Sequence, residues 1–516
     1  MFKHEALPAS TNAVSTFQEK LERGWLGLAG LLAVILAVKF TIYLLDPRPK
    51  FLLGDSGSYL WTALTDWIPE DRSFTYGFLL NRLAVRTHSL TPVVLFQTCI
   101  SGLSAWILSF CLLRYFRVRF WLAVLWGLAC SVEPLQLISE RFVLTEAVST
   151  FLFVLYVAGA LEYIRSGRLI VLALLQIISV PLISFRMSFL PWMLVSSVLL
   201  PLLGPATRTV WRTLWKKLTR APFIRLGRNV SAWKVIGVHL LIAVLLSQLC
   251  LYRYRKWNGK LTHRAPVYIH DDGLFLMSFW APIIKPDDFP IPALRGAIFD
   301  HLKFDLRDPK ARNIQRFAPE GVVPRLVAAV DRSNQHYDAS ALAKRTAINA
   351  AKRDPVGLLK LSATTWLEFF DTEYLKSSAE LDEGLHHSVP QEFRDEVLTQ
   401  FHERYDGSHL DTLTQRWHLA ATAWYQFLVL APAILSLLMI FAGREYLAEW
   451  IYLGLAVWLF TAQTVVLAAL TVVRYLTPDA WLVLLILGAI TPGIGQRVLR
   501  AAAGGRNREP EKVRMD

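Results

Sequence analysis

Apolar residues along this chain gather into runs of roughly 17–25, the length an α-helix needs to cross a ~30 Å hydrocarbon core. Such runs fall near 24–45, 91–113, 120–138, 142–164, 169–185, 187–203, 235–252, 418–441, 447–470 and 476–497. They predict a mainly α, polytopic membrane protein with about ten transmembrane helices. Two polar segments break the series. The first, 46–90, is expected to hold an amphipathic helix around 76–85. The second, 253–417, predicts a largely helical domain inserted before the last three spans. Its second half reads as helices over 325–331, 339–352, 357–370 and 391–405. Its first half carries Pro-rich turns, including Ala281-Pro282 and Asp288-Phe289-Pro290-Ile291-Pro292, that break any long helix. The chain therefore divides into a membrane domain over 1–252, a soluble domain over 253–417, membrane helices over 418–497 and a basic tail over 498–516.

Charge gives the chain a direction. Arg114, Arg117 and Arg119 join the second and third spans, and Arg165 and Arg168 join the fourth and fifth. Arg497, Arg500, Arg506 and Arg508 follow the last span. Between Ala206 and Lys234 stand eight Lys or Arg and no acid, whereas 253–417 holds 23 basic and 23 acidic residues. In a ten-span arrangement every basic connection falls on one side, which the positive-inside rule makes cytoplasmic. Loop 46–90 and domain 253–417 then face outward. The formal charge of +14 is thus a topology signal and gives no reason to expect a nucleic-acid partner.

Composition agrees. Hydrophobic residues make up 54% and charged residues 19%, and the mean hydropathy is +0.36, a balance that excludes an ordinary soluble protein. The four cysteines, Cys99, Cys111, Cys130 and Cys250, lie in apolar stretches without paired spacing, so no disulfide framework or zinc site is expected.

The candidate chemistry sits between spans. Gly54-Asp55-Ser56-Gly57-Ser58-Tyr59-Leu60 follows the first span, and a carboxylate at that depth must be hydrated, paired or functional. Flanking glycines would allow close backbone approach, although Asp55 would equally serve as the cap of a short helix starting at Ser56. Arg141, Arg186 and Arg474 lie in short outer connections, where the positive-inside rule disfavours them, with Glu140 and Glu146 as candidate counter-charges. Three guanidiniums on the face that bears Asp55 suggest an anion pocket, and guanidinium suits phosphate. The pairs Asp271-Asp272 and Asp287-Asp288 and the dipeptide His386-His387 lack metal-ligand spacing, so no metal is expected.

These segments carry a family resemblance. The chain resembles the GT-C superfamily of polyprenyl-phosphate-sugar-dependent glycosyltransferases, in particular the bacterial branch with protein O-mannosyltransferases and the lipid A aminoarabinose transferase. The Gly-Asp-Ser-Gly-Ser-Tyr segment resembles that branch's first-loop motif, an acid closely followed by Tyr. Ser73-Phe74-Thr75-Tyr76-Gly77-Phe78-Leu79 resembles the approach to its second span. Glu133-Pro134 with Leu144-Thr145-Glu146 is similar to its third and fourth helices, and Arg186 and Arg474-Tyr475 resemble later outer arginines. The likeness covers roughly the first 200 residues and the last 45. Many members carry Asp-Glu where this chain has Asp55-Ser56, which leaves one carboxylate and weakens any case for metal there.

The resemblance implies an inverting transfer of sugar from a polyprenyl phosphate to a hydroxyl of a lipid, glycan or protein acceptor. It implies Asp55 as general base, and Arg186, Arg474 and Arg141 as stabilisers of the leaving phosphate. Tyr59, Glu146 and Tyr475 are further substrate-binding candidates. No cofactor is implied, since the lipid-linked sugar is a substrate. The expected place is a bacterial inner membrane, among its lipids, with the site facing outward. A transporter or flippase of a lipid-linked or anionic substrate is the alternative, against which stands the lack of a two-fold repeat.

Overall fold

The computed structural model describes residues 24–506 apart from 53–54, 205–229, 301, 334, 383–390, 405–411, 442–443 and 469–470. Gly54, most of the basic loop 206–234, His386-His387 and Arg508 lie outside the described residues. The chain is an all-α, multi-pass membrane protein. Among the described residues there is no strand, and one isolated bridge joins Lys50 to Phe142.

Apolar helices occupy each of the ten segments. They are α1 (Trp25–Leu45), then, after α2 (Asp55–Thr65) and α3 (Thr75–Leu83), α4 (Thr91–Phe116), the pair α5 (Phe120–Ser131) and α6 (Pro134–Arg141), α7 (Glu146–Ser166), α8 (Leu169–Phe185), α9 (Leu190–Leu203) and α10 (Val230–Thr262). Among the described residues, seven helices are long and apolar enough to cross a membrane singly. The α5–α6 pair is bent by 48°, and α8 and α9 are shorter apolar helices. The expected single run over 120–138 is corrected here. Pro134 lacks the N–H that would continue α5, and the Glu133 carboxylate instead accepts from the Gln136 N–H at 2.8 Å, starting α6 afresh.

The polar insertion follows as short helices: α11 (Asp272–Phe279), α12 (Pro292–Phe299), α13 (Arg312–Phe317), α14 (Val322–Arg332), α15 (Ala339–Arg353), α16 (Pro355–Glu368), α17 (Thr372–Asp382) and α18 (Gln391–Phe401). Asp338 and Asp354 cap α15 and α16 through the Ala341 and Gly357 N–H groups. Leu274, Met277, Phe289, Ile298, Leu326 and Ala343 belong to a hydrophobic core that the insertion makes by itself. The last elements are α19 (Leu413–Ala420), α20 (Thr422–Phe441), α21 (Leu447–Val466) and α22 (Thr477–Arg506).

Burial ranks the bundle. The apolar part of α22 is 78% buried and forms the centre, with α4 and α7 around it at 67%. At 17% and 22%, α1 and α10 leave most of their apolar surface to the surroundings, the arrangement expected where lipid is the solvent.

The insertion is fastened to the end of α21 and to the segment between α21 and α22. Trp280 Nε1 donates to the Val466 carbonyl at 2.9 Å, Arg312 Nη1 to Ala468 at 3.0 Å and Ser378 Oγ to Thr471 at 2.5 Å. Thr471 Oγ1 donates in turn to Glu368 at 3.2 Å. That segment leads directly into Arg474.

Candidate anion and acid–base site

The start of α2 is pinned from two sides. Lys50 exchanges backbone hydrogen bonds with Arg141 and Val143 at 2.7 and 2.9 Å, which lays the chain before α2 along the 141–143 segment. Fully buried Ser56 then donates through Oγ to the Val143 carbonyl at 3.0 Å and accepts from the Leu52 N–H at 2.9 Å. Ser56 thus anchors the helix start. Asp55 is the first residue of α2 itself, so the expected helix start at Ser56 is one residue late.

Of the two glycines that flank Asp55, Gly54 lies outside the described residues and Gly57 shows no close backbone approach. A Cβ on Gly57 would meet the Phe393 ring at an ordinary 3.6 Å. One on Gly77 would stand 2.4 Å from Thr62 Cγ2 and 3.2 Å from the Tyr59 carbonyl. Gly77 is where α3 presses on α2.

Asp55 is clasped by two guanidiniums. Arg474 Nη1 donates to its Oδ2 at 2.7 Å and Arg72 Nη1 to its Oδ1 at 2.6 Å. Burial alone would raise the Asp55 carboxyl, but the charges of Arg474 and then Arg72 outweigh it and hold the group well below the usual carboxylate range. Arg72 is itself fixed by the neighbouring Asp71, to which Nε and Nη2 donate at 3.0 and 2.7 Å.

A second carboxylate extends the cluster. Glu146, at the first position of α7, lies 3.0 Å from Arg186 Nη1 and 3.9 Å from Arg474 Nη1. The Arg186 and Arg474 guanidiniums stand 5.1 and 5.6 Å from the centre of the Tyr475 ring. Arg186 follows α8 in extended backbone, and Arg474 sits in a 3₁₀ turn before α22. The starts of α2, α7 and α22 and the end of α8 therefore meet at one end of the bundle. Tyr59, one turn along α2 from Asp55, has the Arg72 guanidinium 5.7 Å from its ring centre. It packs edge-on against Tyr76 at 5.1 Å, whose hydroxyl donates to Gln97 at 2.7 Å.

Asp55, Tyr59, Glu146, Arg186, Arg474 and Tyr475 are thus brought together. Arg141 is not, which corrects the expectation of three arginines on one pocket. Its fully buried side chain donates to Thr98 at 2.9 Å and Glu140 at 3.4 Å and lies 5.6 Å from the Tyr43 ring centre. Lys39 also pairs with Glu140. Residue 141 contributes to the site through its carbonyl, which receives the Lys50 N–H.

Arg72, Asp71 and Arg316 were not singled out from sequence. Arg72 stands in loop 46–90 beside the Ser73-Phe74 motif. The criterion that picked out Arg186 and Arg474, a cation on the face where cations are disfavoured, selects it equally. Arg316 Nη2 approaches Asp71 Oδ2 at 3.8 Å, and no local signal marks it within the charge-balanced insertion.

The arrangement provides a partly accessible carboxylate, several guanidiniums and an aromatic floor, a set suited to gripping an oxyanion beside a proton acceptor. Among the described residues, no three His, Cys, Asp or Glu gather as a metal site would need.

No protein-family model matches the chain. No curated protein matches it either. Among solved structures it is similar to the crystal structure of ArnT from Cupriavidus metallidurans bound to undecaprenyl phosphate. Identity there is 14%, with 98% of this chain and 82% of that chain covered and a TM-score of 0.31. A superposition that loose leaves the chemistry to be argued from the side chains themselves.

Proposed function

We propose that this protein is a membrane glycosyltransferase that moves a sugar from a polyprenyl phosphate to the hydroxyl of an acceptor outside the cytoplasmic face, with inversion. The single observation that carries the reading is Asp55 held between Arg72 and Arg474, with Arg186 and Tyr475 alongside. In one displacement the acceptor oxygen bonds to the anomeric carbon while the bond from that carbon to the phosphate oxygen breaks. The acceptor proton passes to Asp55, and the polyprenyl phosphate departs as an anion. One carboxylate suffices, because no glycosyl-enzyme forms to need a nucleophile and a phosphate stabilised by guanidiniums leaves without a general acid.

The clasp sets the order of events. A carboxylate held ionised by two cations is a weak base. It gains basicity once those cations turn to another anion. The donor phosphate is that anion, so its arrival both fills the guanidinium cluster and frees Asp55. Arg474 and Arg186 then stabilise the charge that develops on the leaving phosphate. The inner membrane as location, and the insertion as an extracytoplasmic cover over the site, belong to the same proposal.

Transport of a lipid-linked anion is a second reading, favoured by the break between α5 and α6 beside buried Lys39, Glu140 and Arg141. One experiment separates the two. Membranes containing wild type or Asp55→Asn are given a panel of radiolabelled polyprenyl-phosphate sugars, and product sugar is counted. Transfer that falls by about 10²-fold or more in a normally folded variant supports Asp55 as base. Full activity in Asp55→Asn refutes that role, and donor crossing the membrane without transfer supports transport.

A further inference from the structure

Beyond the Asp55 cluster, the insertion holds a cavity of about 370 Å³, within the size range of small-molecule sites. Leu274, Phe317 and Val327 give it an apolar wall, and Asp271, Asp331 and Arg316 give it charge. Phe317 is 66% exposed, so a large ring is presented to solvent rather than packed away.

Arg316 is the unusual member. Its side chain is 8% exposed, and its guanidinium lies 3.2 Å from the centre of the Phe275 ring and 5.1 Å from that of Phe317. The carboxylate contact, to Asp71 at 3.8 Å, is longer than a hydrogen bond. Nε and Nη1 are buried and find no hydrogen-bond partner among the described residues. A buried guanidinium so weakly compensated is costly. Burial, opposed only in part by Asp71 and Asp271, pushes Arg316 down to about 10. An oxyanion in the cavity would supply the counter-charge that Asp71, at 3.8 Å, provides only in part. The rim carboxylates Asp271 and Asp331 repel a bare anion and accept from hydroxyls, so they favour an anion that also carries hydroxyl groups.

The cavity adjoins the candidate centre. Asp71 Oδ2 is shared by Arg316 and Arg72, and Arg72 Nη1 holds Asp55. We infer that this cavity is the acceptor site, taking an organic phosphate or carboxylate that bears hydroxyls and one apolar face. The oxyanion binds Arg316 and the apolar face rests on Phe317 and Val327, which leaves a hydroxyl to extend past Arg72 toward Asp55. The word acceptor rests on the glycosyl-transfer reading above; the anion site does not.

The test is binding to the full-length protein in detergent, without turnover. Phenyl phosphate is titrated by calorimetry into wild type, Arg316→Gln, Ala328→Trp and Arg186→Gln. Ala328 is an exposed lining residue, so the indole fills the cavity with little demand on the core. The expected result is saturable binding that weakens tenfold or more in Arg316→Gln and in Ala328→Trp and persists in Arg186→Gln. Loss in Arg186→Gln alone would put the anion in the cluster around Asp55 and overturn the proposal, as would no saturable binding in wild type. Dodecyl phosphate binding tenfold tighter than phenyl phosphate, with the same dependence on Arg316, supports the site and assigns a lipid headgroup. Equal affinities support it and assign a soluble anion. Because no sugar is transferred in this assay, its failure leaves the Asp55→Asn experiment standing, and full activity of Asp55→Asn leaves the binding result standing.

Discussion

Glu146 is the counter-charge of two guanidiniums, so Glu146→Gln isolates what the Asp55 cluster is built to hold. The side chain is 6% exposed and lies 3.0 Å from Arg186 and 3.9 Å from Arg474. Gln keeps its shape and removes its charge. Breaking a buried ion pair costs about 3–5 kcal/mol. Partial access of water to Arg186 and Arg474, at 12% and 19%, places this case at the lower end, about 3 kcal/mol. Up to about 1 kcal/mol of that is the lost carboxylate at the N-terminus of α7. At roughly 1 °C per kcal/mol for a chain of 516 residues, Tm should fall by about 3 °C. Tryptophan fluorescence during heating in detergent measures it. Inorganic phosphate should then act on the variant as the missing anion, restoring about 2.7 kcal/mol at a concentration of about 100 Kd. Sodium chloride of equal ionic strength should restore little, and phosphate should do nothing for the double variant Arg186→Gln/Glu146→Gln. A fall of less than about 1 °C, or a fall that phosphate does not reverse, would refute the idea that these guanidiniums form an anion site.

Two further outcomes test the frame around the site. Asp288, buried in the insertion, accepts from Arg353 Nε and Nη2 at 2.8 Å each and from the Lys285 N–H at 2.7 Å. Burial would raise its carboxyl, but these bonds outweigh it and hold the group below its ordinary value, so the stabilisation is complete above the unfolded value of about 3.9 and is lost as pH falls from there toward the folded one. Arg353→Gln should therefore cost about 1–2 kcal/mol at pH 7, discounted for the partly exposed arginine, and the gap to wild type in thermal unfolding should shrink below about pH 4; an equal gap at pH 7 and pH 3.5 contradicts this. Gly77→Ala places a methyl 2.4 Å from Thr62 Cγ2 and should push α3 off α2, costing about 1–3 kcal/mol. Because that shift moves the loop holding Arg72, transfer activity should drop further than in Gly57→Ala, whose new Cβ meets its nearest neighbour at 3.6 Å, and equal activities would show that α3 does not set the site.

The bundle was legible because apolar length is a strong one-dimensional signal, and lipid leaves the backbone few alternatives to a helix. The break between α5 and α6 was hidden by that same signal, since 120–138 is apolar throughout while Pro134 and the Glu133 cap act on the backbone. Within the insertion, α15 and α16 were legible from their caps and periodicity. Helices α11, α12 and α13 have six to eight residues each, too short for a 3.6-residue pattern to declare itself among prolines.

The site divides along a different line. Asp55, Arg186 and Arg474 stood out because each is a charge placed where hydrocarbon or the sidedness of the chain makes charge costly. That criterion measures position along the membrane normal and is blind to position around the bundle. Arg141 meets it and yet turns toward Thr98 on α4 and its neighbour Glu140, at the end of the short helix α6. Arg316 escapes notice for the converse reason. It lies in a polar segment where an arginine costs nothing to write, and it acquires meaning through contacts with Asp71 and Phe275 that span 245 and 41 residues of sequence. The Asp55–Arg474 pair, 419 residues apart, required the packed end of the bundle to be seen at all. Charge sidedness therefore nominates the face on which chemistry occurs, and the helix ends that meet there decide which of the nominated charges take part.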